Sequence, residues 1–423
     1  MSAPVRTTVV LLFAAWFVDY VDRIAIAVIL PTIGDEFDLD RGQQGLVVSV
    51  FFVAYALCQI PGGMLADRFG AKRVTCWALL AWSLFTALTG LAWSFTALLL
   101  VRFAFGAAEG IFPSASMKAV VERTSVAERM GAQGLIMSSN ALASVAAPLA
   151  VPPLAAVVGW RWAFVLAAGL GILVHGAVRL WLPPPRERVE DEARLPPPCE
   201  RAEGGAPAAS GVPVREVLRI GVLWRFSLML FGYAALMWGL STWIPSYLSS
   251  ERGLSLTSAG VFVAVPSLAA ALGTLLGGRL SDRFEGHHRK VVVPAMSVAA
   301  PALCLMALSP GLIGSVACGT IAVFAASLCY MPIFAVPMRS LAPELVGVGS
   351  AVIVFGGQVA GMVVPPVLGL IADAVSFEAA FAVLALGPVV AAVLALVTPQ
   401  DTESFIAALP RRGNHAPIEK EPT

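Results

Sequence analysis

The chain has 423 residues, 58% of them hydrophobic and only 13% charged, with a mean hydropathy of +0.82. A soluble globular protein carries about 25% charged residues, so the composition excludes a water-facing globule and a disordered chain. The 28 Lys+Arg and 27 Asp+Glu nearly cancel, which gives no basic face for nucleic acid.

A helix needs about 20 mostly apolar residues to cross a bilayer. Stretches of that kind run over 8–30, 43–66, 74–93, 96–118, 131–153 and 161–182, then over 221–248, 256–280, 291–309, 311–338, 346–371 and 377–398. The first is too long, and lacks the small-residue site, for a cleavable signal peptide. Between the two sets, 183–220 holds Pro183-Pro184-Pro185, Pro196-Pro197-Pro198, charges and a Gly/Ala run, which is linker composition. The expected protein is all-α and membrane-bound, with twelve transmembrane helices in two pseudo-symmetric six-helix bundles. They cover 1–182 and 221–398, with a cytoplasmic linker between them and a cytoplasmic tail over 399–423.

Arg41, Arg161 and Arg252 are the basic residues expected in loops opposite the termini, and Arg23 and Arg102 lie within spans. The remaining Lys and Arg fall on the side of the termini, which the positive-inside rule makes cytoplasmic. A multi-pass protein of the plasma (inner) membrane follows. The halves also repeat. Gly63-Met-Leu-Ala-Asp67-Arg68-Phe69 recurs as Gly278-Arg-Leu-Ser-Asp282-Arg283-Phe284, 215 positions on, and Pro31 pairs with Pro245 at 214. Duplicated bundles of this kind hold their substrate near the midplane, between the halves.

Ionisable groups inside a span are expensive, so each needs a reason. On the first span Asp19, Asp22 and Arg23 share one helix face, with Tyr20 beside them; on the fourth, Arg102 and Glu109 lie two turns apart on another. An arginine offers a planar fork to a carboxylate, and burial favours the neutral form of an acid. An anion-binding arginine beside a protonatable acid suits an anion–proton symporter. The alternative is purely structural, with Asp22 neutralising Arg102, or Arg23 neutralising Glu109; for Arg102 both readings stand. In the seventh span Tyr233 and Trp238 sit deep enough to line a substrate cavity, whereas Trp243 and Tyr247 read as interfacial anchors. Pro332 and Pro337 mark bends in the tenth. Six cysteines without Cys-x-x-Cys or His partners give no metal site, and no cofactor is expected.

Gly63-x-Leu-Ala-Asp-Arg-x-Gly70-x-Lys72-Arg73 resembles the signature of the major facilitator superfamily, and the copy around Asp282 and Arg283 is its weaker repeat. Tyr20-Val-Asp22-Arg23, Tyr55-Ala-Leu-x-Gln-Ile-Pro61, Arg102-x-x-x-Gly106-x-x-Glu109-Gly110 and Gly159-Trp-Arg-Trp-Ala-Phe164 together resemble its anion:cation symporter branch. That branch includes bacterial hexuronate, galactonate and glucarate transporters and the sialic-acid and vesicular glutamate carriers. The resemblance implies that Arg23 binds a substrate carboxylate, that Asp22 and Glu109 carry protons, and that Tyr20 and Tyr55 line the pocket. Asn140 lies near a family glutamine that contacts substrate, and Gln358 near a family asparagine. Ala25 stands where the family commonly has Asn, and helix five is one residue shorter before Pro148 than in some relatives. Both departures favour an organic monocarboxylate with a larger apolar part over a many-hydroxyl sugar acid. Asp67, Arg68, Asp282 and Arg283 read equally as conformational gates and as topology anchors.

The expected function is proton-coupled symport of an organic anion, a sugar acid or other carboxylate, by alternating access in a monomer. Its alternative is a proton-coupled efflux antiporter, which would not need Arg23 and Arg102. The spans contain no nucleophile-and-base set for an enzyme, and linker and tail are too short for a receptor's output domain.

Overall fold

The computed structural model describes residues 2–186, 217–341 and 343–409. Most of the expected linker, Cys199 and the far end of the tail lie outside them. All secondary structure among the described residues is helical. The first half comprises α1 (Ala3–Phe37), α2 (Arg41–Phe69), α3 (Ala71–Gly90), α4 (Phe95–Val121), α5 (Val126–Val158) and α6 (Trp160–Trp181). The second comprises α7 (Gly221–Ser250), α8 (Leu256–Arg283), α9 (Arg289–Leu308), α10 (Leu312–Ser327) continued by α11 (Tyr330–Ser340), α12 (Pro343–Ala374), and α13 (Phe377–Leu384) continued by α14 (Leu386–Val397). Residues of the expected tail form a short α15 (Thr402–Ala407), which seats Phe405 on Phe226 at 6.0 Å between ring centroids.

Ten helical rods are long and apolar enough to cross a membrane by length and composition. The two remaining long helices are α1, which carries the buried charges, and α3, which begins on Ala71-Lys72-Arg73. The expected count of twelve spans is therefore met by composition for ten. Two expected spans are each broken in two. Proline has no N–H for the carbonyl four residues back. Pro332 thus leaves the Leu328 carbonyl free where α10 ends, and Pro388 leaves that of Leu384 where α13 ends.

Large apolar side chains such as Leu57, Ile60, Leu173 and Val157 point outward, as a lipid-facing surface requires. Inward-facing residues form two main cores. One is drawn from Val5 to Leu182 and the other from Val217 to Phe405. Trp243 and Tyr247, expected as interfacial anchors, are buried in the second core. Trp243 Nε1 donates to the Pro365 carbonyl at 2.9 Å, and Tyr247 stacks edge-on against Phe381.

The halves meet where α2 packs on α12, α5 on α8 and α1 on α7. This seam lies at the end of the bundle that carries the α1–α2, α5–α6 and α7–α8 turns. There Arg41 donates to the Ala372 carbonyl at 2.9 Å, pairs with Glu251 at 3.4 Å and with Asp373 at 3.8 Å, and lies over the Phe377 ring. The Gly42 amide donates to Asp373 at 3.1 Å, and Ser49 donates to the Met362 carbonyl. Two glycines set the closeness. A Cβ on Gly45 would sit 2.5 Å from the Pro366 backbone, and one on Gly260 would collide with the Pro148 carbonyl. Any side chain there would force the halves apart.

Candidate functional site

Helix lengths bring the predicted residues to one depth. Arg23 lies 14 residues before the end of α1, Tyr55 14 after the start of α2, and Glu109 14 after the start of α4. At 1.5 Å per residue each is about 21 Å from the sealed end. All three helices belong to the first half, and their small residues let them approach. A Cβ on Gly110 would meet the Tyr55 backbone, and one on Gly106 would meet Phe51.

Arg23 is the hub. Its Nη2 donates to Glu109 Oε2 at 2.9 Å and to Asp19 Oδ2 at 3.3 Å. Its guanidinium carbon lies 4.8 Å from the Tyr55 ring centre, 5.0 Å from Phe51 and 5.4 Å from Tyr20, within the range of cation–π attraction. The Arg23 side chain is 9% exposed, and those of Asp19 and Glu109 are 1% and 0%. Nε of Arg23 and Oε1 of Glu109 are buried without a hydrogen-bond partner. A buried ion pair with unused donor and acceptor atoms costs stability.

Asp22 turns away from Arg23. Its Oδ2 accepts from the Thr86 hydroxyl of α3 at 3.0 Å, and its Oδ1 has no partner. The neutralising pair Asp22–Arg102 considered from sequence is not formed. Arg102 makes no ion pair or hydrogen bond among the described residues, and its Nε is buried and unpartnered. Its guanidinium instead lies 4.4 Å from the Phe105 ring centre and 5.3 Å from Phe51. Phe51 therefore contacts both arginines. The other predicted pair, Arg23 with Glu109, is formed.

Among the described residues, the second half supplies no charged side chain to this cluster. Tyr233 on α7 stacks with Tyr330 at the start of α11, 5.6 Å between centroids. Trp238 meets Phe52 of α2 at 4.6 Å and closes the space on the side of the seam. Gln358 on α12 has its Oε1 buried without a partner. On α5 the Asn140 side chain is half-buried, with only a 3.5 Å contact from the Ser139 hydroxyl. Ala25, where relatives carry Asn, packs in the core of the first half rather than beside Arg23.

At the opposite end of the bundle Asp67, Arg68, Asp282 and Arg283 are exposed. Asp67 pairs with Lys118 at 2.7 Å and Asp282 with Arg339 at 3.8 Å, each within its own half. In this conformation the four do not bridge the halves. The contacts of Arg41 and Gly42 thus join the halves at the seam, and these four residues add none at the opposite end.

Sequence reasoning missed Phe51, Thr86 and Tyr330. An aromatic or a threonine inside an apolar run carries no signal of its own. No group of three or more His, Cys, Asp or Glu among the described residues is placed to hold a metal, and the five described cysteines form no disulfide.

Two helical halves, joined at a seam at one end, enclose a buried cluster of charges at mid-depth, and the proteins this chain resembles are multi-pass membrane transporters rather than enzymes. The chain belongs to the Major Facilitator Superfamily, whose sequence profile matches residues 12–365 and again 263–420. It is 32% identical over 368 residues to a probable sulfoacetate transporter of Cupriavidus necator, covering 85% of each chain. It is 30% identical over 401 residues to a hexuronate transporter of Bacillus subtilis, covering 92% of this chain and 93% of that one. A D-galactonate transporter of Escherichia coli is 28% identical over 397 residues, with 88% and 90% covered. Its fold matches an inward-facing, unoccupied bacterial homologue of the human lysosomal transporter Spinster. The TM-score is 0.81 at 19% identity, with 97% of this chain and 99% of that one covered. The sequence matches place it in the organic-anion branch of the superfamily.

Proposed function

We propose that the protein is a proton-coupled symporter of an organic anion, a sugar acid or other carboxylate or sulfonate, working by alternating access across the plasma membrane. The observation that carries this reading is the Arg23 guanidinium, held at mid-depth between two buried acids with its Nε free. Relatives named for sulfoacetate, hexuronate and galactonate support an anionic substrate. The distribution of basic residues supports a cytoplasmic α2–α3 end, which puts the seam between the halves on the outer side.

In the cycle, Asp22 and Glu109 act as a protonation pair that takes up one proton between them while the site faces outward. Protonation of Glu109 frees Arg23 for the substrate's anionic group, and Arg102 supplies a second positive charge behind Phe51. Tyr20, Tyr55, Tyr233, Trp238, Asn140 and Gln358 line the remainder of the pocket. With charges neutralised, the halves rock about the site, and release of substrate and protons to the cytoplasm resets the carrier. Asp67, Arg68, Asp282 and Arg283 come together in the opposite state and act there as the gate. A monomer suffices.

The test is uptake into proteoliposomes of sulfonates, hexuronates, aldonates and aromatic monocarboxylates, with and without an inward proton gradient. The expected result is accumulation of at least one anion only when the gradient is imposed. Gradient-driven efflux of cationic or neutral compounds, with no anion flux, would establish the antiporter instead.

A further inference from the structure

Asp19 has no part in the cycle above, yet it is 1% exposed in the middle of α1 and shares the Arg23 Nη2 with Glu109. We propose that Asp19 is a third proton-carrying acid of the site and raises the number of protons moved per substrate by one. The proposal deepens the symport reading and rests on it.

The argument is one of charge. The groups facing Asp19 are Arg23 and Asp22 on its own helix and Glu109 on α4, with Arg102 beside Asp22 and Glu109; the hydroxyls beside it are those of Tyr20 and Tyr55. Of the other helices packed on α1, α5 carries Glu128 and Arg129 at its far end, α6 carries Arg161 and Arg179 at its ends and His175 on the Cys76 carbonyl, and α7 carries Arg225 and Tyr247 toward its ends and Tyr233 beside Tyr20. Three acids and two arginines sum to −1 when all are ionised. Moving an uncompensated charge through a space without water is costly, so the loaded, closed site must be near neutral. A monoanion on the ionised cluster gives −2, and two protons restore neutrality. With a neutral side chain in place of Asp19, the empty cluster sums to 0 and the same monoanion needs one proton.

Geometry gives Asp19 its place in the sequence of events. It lies four residues before Arg23, one helical turn away, so its carboxylate holds the guanidinium while no substrate is present. The substrate's anionic group takes that role when it binds. An ionised Asp19 beside it would leave two anions on one Nη2, and protonation of Asp19 removes the conflict. The proton leaves when the substrate does, as Asp19 returns to Arg23. No covalent bond is made or broken.

The experiment measures the proton-to-substrate ratio from reversal potentials in proteoliposomes, using a monoanion identified by the uptake screen. Wild type is expected to give two protons per monoanion, Asp19→Asn one, and Asp19→Glu two. An unchanged ratio in Asp19→Asn overturns the assignment. So does a wild-type ratio of one, which needs no variant to fold. Absence of gradient-driven anion flux in the wild type overturns the symport reading, and the role of Asp19 with it. A normal wild-type flux with no difference between wild type and Asp19→Asn removes Asp19 alone.

Discussion

Nη2 of Arg23 on α1 and Oε2 of Glu109 on α4 are 2.9 Å apart, and the Glu109 side chain is wholly shielded from water. A charge-assisted contact this well shielded is stronger than its surface counterpart. Removing one partner strands the other, at a cost of about 3–5 kcal/mol. In the proposed cycle the pair opens only when Glu109 is neutral or another anion takes its place. Glu109→Gln keeps the shape and mimics the protonated acid. It is expected to lower the proton-to-substrate ratio, and with it the accumulation a proton gradient can drive, while preserving substrate exchange between the two sides. Counterflow in proteoliposomes without a gradient separates the two, and an unchanged ratio in Glu109→Gln would sink the coupling role.

Arg23→Lys keeps the charge but loses the planar fork. One charged hydrogen bond is worth roughly 1.5–3 kcal/mol, so substrate affinity is expected to fall about 10- to 150-fold. Titration of the purified protein by calorimetry reads this directly. Equal affinity in the variant would place the anionic group elsewhere, with Arg102 the next position to substitute.

At the seam, Gly45→Val would push a side chain into the backbone of Pro365 and Pro366. The conformation described here should become inaccessible, and the opposite one populated. Spin labels at positions 67 and 282 report it, since both residues are exposed and on different halves. Their separation is expected to shorten in Gly45→Val. Arg41→Ala should shift it the same way but less, because its partly exposed ion pairs are each worth only about 0.2–1 kcal/mol. An unchanged distance in both variants would mean that the seam does not set the conformation.

His288, just before α9, is buried between Phe226 and the tail residue Gln400, whose Nε2 donates to its Nε2 at 3.0 Å. Burial, with the neighbouring His287 adding a smaller push, lowers its pKa from 6.5 to about 4. A base whose folded pKa is depressed stabilises the fold fully above its unfolded value, and that contribution is lost as pH falls. The window is therefore pH 6.5 down to about 4, and the full loss is about 3 kcal/mol at 1.36 kcal/mol per unit. His288→Phe leaves Gln400 its bonds to the Ala395 and Thr398 carbonyls. Melting temperature followed from pH 7 to pH 4.5 should drop less in that variant than in the wild type.

What could be read from sequence follows from what stands out against lipid. Charges in apolar runs are conspicuous, so Asp22, Arg23, Arg102 and Glu109 were identifiable one by one, and helix periodicity placed them on usable faces. Their pairing was not identifiable, because it depends on how far each helix turns about its axis. Asp22 reaches Thr86 rather than Arg102 for that reason. Phe51 contacts both arginines, yet in the sequence it is one of two adjacent phenylalanines in an apolar run. Trp243 and Tyr247 were misplaced because an aromatic near a span end has two fates, the lipid interface or a neighbouring helix. Only the packing of α12 and α13 decides between them. The Pro332 break was legible, since proline's missing donor is a property of the residue itself.

The glycine-lined seam has a consequence for how such a carrier diversifies. Gly45 and Gly260, which set how closely the halves approach, make no contact with the Arg23–Asp19–Glu109 cluster. In the proposed cycle, substitutions at Gly45 or Gly260 alter how long the protein dwells in each orientation, and those near Arg23 alter what it carries. Turnover and selectivity can therefore drift independently, so that one scaffold yields slow and fast carriers of the same molecule, or equally fast carriers of different ones.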